Sequence, residues 1–532
     1  MAILLKNIIL SLEEEEATLQ KKAAGILQVP PEQVPEFKII KKSLDARRKN
    51  RIQFVYCLKI TLPVDEEKRV LQEPSLHHQI QKVSGTPLQA PGRVKKKPEN
   101  RPVIVGTGPA GLFAALKLTE CGLPPLIFER GKEIPKRVKD VERFWQDGTL
   151  EPESNVQFGE GGAGTFSDGK LFTRLHDPRV SATLETFVRF GAPSETLFLQ
   201  RPHIGTDRLR RVVLAIRQHL QEQGAEIKFQ AKMTGLKIFQ GSLRGAIING
   251  QEEVDASILF LALGNSSRDT FRMLQSSGVA MEPKPLAIGL RVEHPQRLID
   301  RIQYGPSAGH PRLPPAEYQL TSRSSKGHAV YSFCMCPGGF VIAASSENQG
   351  LVTNGMSLFR RNSPFANSAL VVSVGMEDFG GNGPLAGMEF QRRWEEKAFR
   401  SGGGNFKAPA QGLLDFLQSR DPSSVRETSF KPGIIPARLD ECLPAFVVES
   451  LREALPHFNR RMPGFCSSEA MVIGIETRTS SPLRILRNED YQSPSVRGLY
   501  PIGEGSGYAG GIISSALDGM KAAEAVLKNL NE

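Results

Sequence analysis

Three glycines in the run Gly106-Thr-Gly108-Pro-Ala-Gly111, with a carboxylate downstream at Glu129, are the residues of this chain best suited to hold a dinucleotide. Gly106 permits a tight turn. Gly108 lets the backbone approach a pyrophosphate, and Gly111 lets a helix lie close on a strand. Pro109 and Ala110 open that helix, whose N–H groups and positive dipole end suit phosphate. Glu129, followed by Arg130, closes the next strand and can accept from a ribose hydroxyl. Glycine turns of this kind also occur in ordinary β-α-β units. Here the strand, turn, helix, Gly122 stop, second strand and acid stand in the required order.

A second glycine junction lies near the other end of the chain. Gly498 to Gly503 reads as a short strand, Glu504 follows, and Gly510 and Gly511 lead into a helix from Ile512. A NAD site has no need of this second junction. FAD is longer: a carboxylate at 504 can bond a ribityl hydroxyl, and a second helix N-terminus can face the flavin. The pair of junctions resembles the FAD-binding fold of the glutathione-reductase type, which usually has Asp where this chain has Glu504. Ala256–Gly264, closing on Ala262 and Gly264, resembles the family's ATG-like strand. The loop Phe158–Gly169, with Gly162, Gly164 and Thr165, resembles the glycine loop beside the flavin in the succinate-dehydrogenase-like branch. So many glycines cost entropy, which close approach to a ligand explains. By the same resemblance Met233 lies at the adenine end.

Flavin supplies redox chemistry and the protein positions a donor. Cys334 and Cys336 are two apart, so on a strand they share a face and both thiols could meet one ligand; two small buried apolar residues are the alternative. Arg478 and Arg484, in the polar run that begins at Glu476, could hold a carboxylate or phosphate, or clamp a domain boundary. Lys170 and Arg174 could stabilise anionic reduced flavin, or be exposed charges. His203 and His328 could be acid–base groups or structural.

These residues need a scaffold. At 532 residues the chain exceeds one core. Residues 1–90 read as a small α+β module: strand Leu4–Leu12, helix near Glu16–Gly25, then strands Glu36–Leu44 and Gln53–Leu62, an order that suggests a ferredoxin-like unit. Residues 74–100 have linker composition, with a basic linker at 91–100. An α/β, Rossmann-like FAD-binding domain is expected in two pieces, 101–284 and 466–532. The first piece carries the helix Asp207–Gln223 and a meander of Ala225–Phe229, Met233–Phe239 and Leu243–Ile248. An α+β substrate domain, 285–465, is inserted between the pieces. The chain resembles, over nearly its whole length, a group of FAD-dependent dehydrogenase-like proteins. That resemblance takes in Lys42–Arg47, Phe158–Lys170, Ser332–Gly339 and Glu476–Arg484.

The net charge is +11, and the first 100 residues carry 18 basic against 12 acidic groups. Lys41, Lys42, Arg47, Arg48, Lys49 and Arg51 form one cluster and Lys95–Lys97 another. Such runs serve nucleic acid, or more commonly a solvated face. Six scattered cysteines make no disulfide framework. No apolar run reaches the length of a membrane span, and no signal-peptide pattern opens the chain. The cytoplasm is the expected compartment, or an organelle after loss of a transit peptide. The expected function is an FAD-dependent oxidoreductase, a dehydrogenase or reductase moving a hydride between a small molecule and flavin N5. A flavoprotein with structural FAD and an RNA- or partner-binding module, and an FAD monooxygenase, are the alternatives. With no second dinucleotide motif, NAD(P)H would bind only transiently.

Overall fold

The computed structural model describes residues 2–34, 36–83, 92–422 and 425–532, so residues 84–91, within the stretch of linker composition, lie outside it. The first strand, Ala2–Ser11, alternates buried and exposed positions until Asn7. There the backbone turns left-handed (φ 60°), and pairing with Gln53–Thr61 slips between Leu5 and Ile8. The bulge puts Ile3, Leu5, Ile8 and Leu10 all into the core despite their broken spacing. Helix Leu19–Leu27, strands Phe37–Asp45 and Gln53–Thr61, helix Val64–Gln72 and strand Ile80–Lys82 complete the module. The four strands are antiparallel, in the spatial order Phe37–Asp45, Gln53–Thr61, Ala2–Ser11, Ile80–Lys82. Ile80–Lys82 therefore falls within the stretch that composition marks as linker.

Five three-residue strands form a parallel sheet in the order Leu499–Pro501, Leu259–Leu261, Val103–Val105, Leu126–Phe128, Glu226–Lys228. In chain order this is 3-2-1-4-5, the doubly wound arrangement whose ligands bind beyond the carboxyl ends of the strands. The inner strands are covered on both faces and read as unbroken apolar runs. Helices Pro109–Glu120 and Ile512–Asn531 lie against each other on one face. The expected first meander strand, Ala225–Phe229, is corrected here. Its residues Glu226–Lys228 follow the helix Thr206–Glu222 and pair in parallel with Leu126–Phe128, as a strand after a crossover helix does. The meander itself is Met233–Phe239, Ser242–Ile248 and Glu252–Asp255.

The inserted domain is built on a seven-stranded sheet: Thr321–Arg323, Ala329–Cys336, Phe365–Val374, Leu286–Pro295, Met471–Glu476, Ala408–Gly412, Ile434–Pro436. Met471–Glu476 pairs with both Leu286–Pro295 and Ala408–Gly412. The insertion thus runs past the expected boundary at 465. Nine of ten residues of Leu286–Pro295 are buried, including Arg291, Glu293 and His294. The N-terminal module is docked through its backbone: Lys42 N–H donates to the Phe198 carbonyl (2.7 Å), and Gln200 N–H to that of Lys42 (3.0 Å). Among the described residues no helix is long and apolar enough to cross a membrane.

Candidate functional site

A cavity of about 1180 Å³ runs from the glycine turns of the parallel sheet to the wall formed by Ala329–Cys336 and Met471–Glu476. It exceeds the roughly 300–1,000 Å³ of ordinary ligand pockets, so a long ligand leaves room for a second molecule.

At one end the backbone makes the wall. Gly106 has φ +107°, and a methyl group on it would stand 2.3 Å from the Ala262 carbonyl oxygen. A methyl on Gly111 would stand 2.0 Å from the Gly106 carbonyl oxygen. Gly106, Gly108, Pro109 and Ala110 border the cavity, as do Ala262 and Gly264 after the strand Leu259–Leu261. So do Gly162, Gly164, Met233, Gly503, Gly510, Gly511 and Ile512. Thr165 is instead buried behind the loop, its hydroxyl donating to the Glu160 carbonyl (3.0 Å). The loop itself is held by a residue that sequence reasoning passed over. Arg137, fully buried on the helix Ile134–Asp147, donates to the carbonyls of Asn155, Val156, Glu160 and Gly162. An arginine in a charged amphipathic helix gives no signal of this.

The two carboxylates differ. Glu129 accepts from Thr107 N–H and hydroxyl (2.9 and 2.7 Å) and from the N–H groups of Gly131 and Gly159 (3.0 Å each). It ties three loops together, and its roughly four acceptor sites are matched by protein donors. Glu504 borders the cavity and, among the described residues, its carboxylate takes a hydrogen bond from the Asn265 amide alone (2.9 Å). Burial pushes its carboxyl up to about 7. Arg130 pairs with Asp269 and Glu153 and lies 3.9 Å over the Phe158 ring.

FAD fits this groove. Methyl groups on Gly264 and Gly510 would meet no atom within 4 Å, so open volume stands where side chains are missing. Two helix N-termini, at Pro109 and Ile512, reach the same cavity.

The far end carries charged side chains. Lys170 pairs with Asp168 (3.1 Å) and donates to the Met335 carbonyl. Burial alone would lower its ammonium, but Asp168 holds it above the usual lysine range. Asp168 also takes Arg361 (2.5 Å) and the Ser357 hydroxyl. Arg291 pairs with Glu476 (3.0 Å) and donates to the Cys334 carbonyl (2.9 Å). Burial outweighs Arg291 and pushes the Glu476 carboxyl up to about 7. Cys334 borders the cavity, whereas Cys336 is buried behind it. A bulge at Cys334 breaks the alternation that would have aimed both thiols one way.

Arg478 borders the cavity but is committed. It meets Glu395 (2.9 Å) and the Ser346 hydroxyl (2.6 Å), while Arg268 grips the same carboxylate (2.8 Å). Arg268 opens the helix Arg268–Ser276 and Glu395 sits on Ala386–Ser401, so the cluster ties these two helices together. Arg484 pairs with Glu282. Arg174 is exposed at the cavity rim. His203 stacks on Phe359, and burial pushes its imidazole down to about 4. His328 stacks on Phe446.

Comparison with known proteins gives five findings. A family described as "FAD-dependent protein, C-terminal domain-like" matches residues 285–479, and one described as a domain of unknown function matches residues 3–61. An uncharacterized protein of Clostridium beijerinckii is 45% identical over 537 residues, covering 100% of this chain and 99% of that one. Among solved structures, the flavin-dependent brominase Bmp2 is 14% identical, covering 81% of this chain and 79% of that one, with a TM-score of 0.36. A geranylgeranyl bacteriochlorophyll reductase-like protein from Thermoplasma acidophilum is 16% identical over 81% and 79% of the two chains, with a TM-score of 0.35.

Proposed function

The chain belongs to the family of its clostridial relative, a family of FAD-dependent proteins, and from that premise we propose that it is an oxidoreductase acting on a small molecule. FAD is the cofactor. When bound, it supplies hydride transfer at N5. The observation that carries the proposal is the continuity of the cavity. One volume is bordered by the glycine backbone at 106–110 and 510–511, and also by Lys170, Cys334 and Glu476 of the far wall.

In this reading Gly106, Gly108, Pro109 and Ala110 receive the pyrophosphate at a helix N-terminus. Glu504 and Asn265 face the ribityl end. Glu129 sets the shape of the ribose site by fixing the Thr107, Gly131 and Gly159 backbone. Glu476, with one carboxylate oxygen that meets no donor among the described residues, can exchange a proton with a bound molecule. Arg478 and Glu395 keep the inserted domain over the groove. The doubly wound order supports a glutathione-reductase-type nucleotide domain. The β-α-β-β-α-β order and the antiparallel four-stranded sheet support a ferredoxin-like N-terminal module, whose Lys41 reaches the cavity rim.

The test is a visible spectrum of purified protein, with the released cofactor identified by mass, followed by anaerobic reduction with candidate substrates. A bound flavin that a small molecule bleaches supports the proposal. A flavin that resists every reductant class tried, dithionite excepted, would favour a structural role. Gly108→Glu, which puts a charge at the pyrophosphate position, should abolish FAD retention; full occupancy in that variant would overturn the placement.

A further inference from the structure

The strand Ala329–Cys336 loses its register where it meets the cavity. Pairing with Phe365–Val374 slips between Phe333 and Cys336, and Cys334 carries a φ of +46°. A non-glycine residue in the left-handed region is costly, and here it marks a bulge that re-aims the side chains of the strand. The consequence is spatial. Cys334 is presented to the cavity, and Cys336 is packed directly behind it. The Cys336 thiol donates to the Cys334 carbonyl oxygen at 3.3 Å.

Two fixed cations stand against this pair. Lys170, anchored by Asp168, donates to the carbonyl of Met335, the residue between the cysteines. Arg291, fully buried and anchored by Glu476, donates to the Cys334 carbonyl and lies 3.8 Å from the Cys336 sulfur. A neighbouring cation favours a thiolate, the reactive form of cysteine. The neighbouring Cys336 thiol, with Lys170 and Arg291, pushes the Cys334 thiol down against the opposing effect of burial. Cys336 moves up. At the other cysteines burial prevails: it pushes Cys57, Cys121 and Cys442 up, and Cys466 up to about 11.

We propose that Cys334 and Cys336 are a redox-active dithiol in the cavity wall, and that the small molecule handled there is a disulfide or its thiol. This rests on the oxidoreductase reading above. The Cys334 thiolate attacks one sulfur of the substrate disulfide; the S–S bond breaks, and the other sulfur leaves as thiolate. Cys336 then attacks the Cys334 sulfur of the mixed disulfide. The second substrate sulfur departs and takes the Cys336 proton, leaving a Cys334–Cys336 disulfide. Two electrons and one proton return Cys334 to thiolate and Cys336 to thiol, and reduced flavin is the donor class that supplies them.

The experiment uses the full-length protein as purified with FAD. It is reduced, desalted without oxygen, exposed to oxidised glutathione, quenched in acid, and alkylated with N-ethylmaleimide before peptide mass analysis. The expected result is a peptide with Cys334 and Cys336 linked, lighter by two hydrogens and unalkylated, while the other four cysteines carry the label. In Cys336→Ser a Cys334–glutathione adduct should accumulate instead. Label on both Cys334 and Cys336 in the wild-type protein would overturn the proposal. So would a wild-type glutathione adduct that never resolves to the internal link. A protein without a flavin spectrum would count against the oxidoreductase reading, and the thiol result is read independently of it.

Discussion

The two ends of the cavity hold their shape in opposite ways. The cofactor groove is made of backbone: glycines at 106, 108, 111, 264 and 510, and peptide N–H groups drawn in by Glu129. The far wall is backed by buried charged side chains: Arg291 and Glu476 on strands of the seven-stranded sheet, Asp168 on the glycine loop and Glu395 on a helix, each almost fully buried. A groove of backbone fails through sterics: a methyl on Gly106 strikes the Ala262 carbonyl, and a side chain on Gly264 or Gly510 takes up the open volume. A wall of buried ions fails through electrostatics, since removing one charge leaves its partner unpaired.

The largest expected effect is on the backbone side. Gly106→Val forces a β-branched residue into φ +107° and a side chain against the Ala262 carbonyl. It should remove FAD binding altogether, measured as flavin absorbance per folded chain. Normal flavin content would show that the turn tolerates bulk, and the contrast would collapse. On the ionic side, Glu395→Ala leaves Arg268 and Arg478 facing each other. We expect a loss of about 3–5 kcal/mol in unfolding free energy, the cost of breaking a buried pair. A denaturant midpoint within error of wild type would mean that solvent or Glu347 satisfies both guanidinium groups.

The same contrast explains what was legible in the sequence. Glycine spacing is a backbone requirement written in one residue type, so the strands at 103–105 and 126–128, the helix from Pro109 and the junction at 510–511 could be read from the chain. Buried ions are written in residues that usually mark a surface. Arg137, Arg291 and Glu395 therefore gave no signal, and Met471–Glu476 could not be assigned to its sheet because its partners lie some 60 to 185 residues away in the chain. The bulges at Asn7 and Cys334 depend on tertiary pairing, and strict alternation misplaces the side chains beyond them.

A pH-dependent test sharpens the ionic half. Glu293 lies within the strand Leu286–Pro295, bonded to Ser429, and burial pushes its carboxyl from 4.5 up to about 7. Because the folded value is raised, its contribution to stability is complete below about pH 4.5 and is lost as pH rises through 7. Glu293→Gln fixes the neutral form with nearly the same shape. It should therefore gain stability over wild type at pH 8 by roughly 2–3 kcal/mol more than at pH 5. Equal differences at the two pH values would mean that Glu293 is ionised in the folded protein across that range.

The smallest effect should come from the most conspicuous charge in the sequence. Lys42 stands in the basic cluster of the N-terminal module, and its ammonium pairs with a partly exposed Glu16. What joins the module to the body at this point is the peptide group of Lys42, which donates to Phe198 and accepts from Gln200. Lys42→Ala deletes the charge and leaves both peptide bonds in place. The expected cost is under about 1 kcal/mol, the range of a partly exposed ion pair, with flavin content unchanged. A larger loss, or release of the module to protease, would show that side-chain charge and not backbone pairing seats the module. Basic composition would then have been a better guide to this end of the molecule than its hydrogen bonds are.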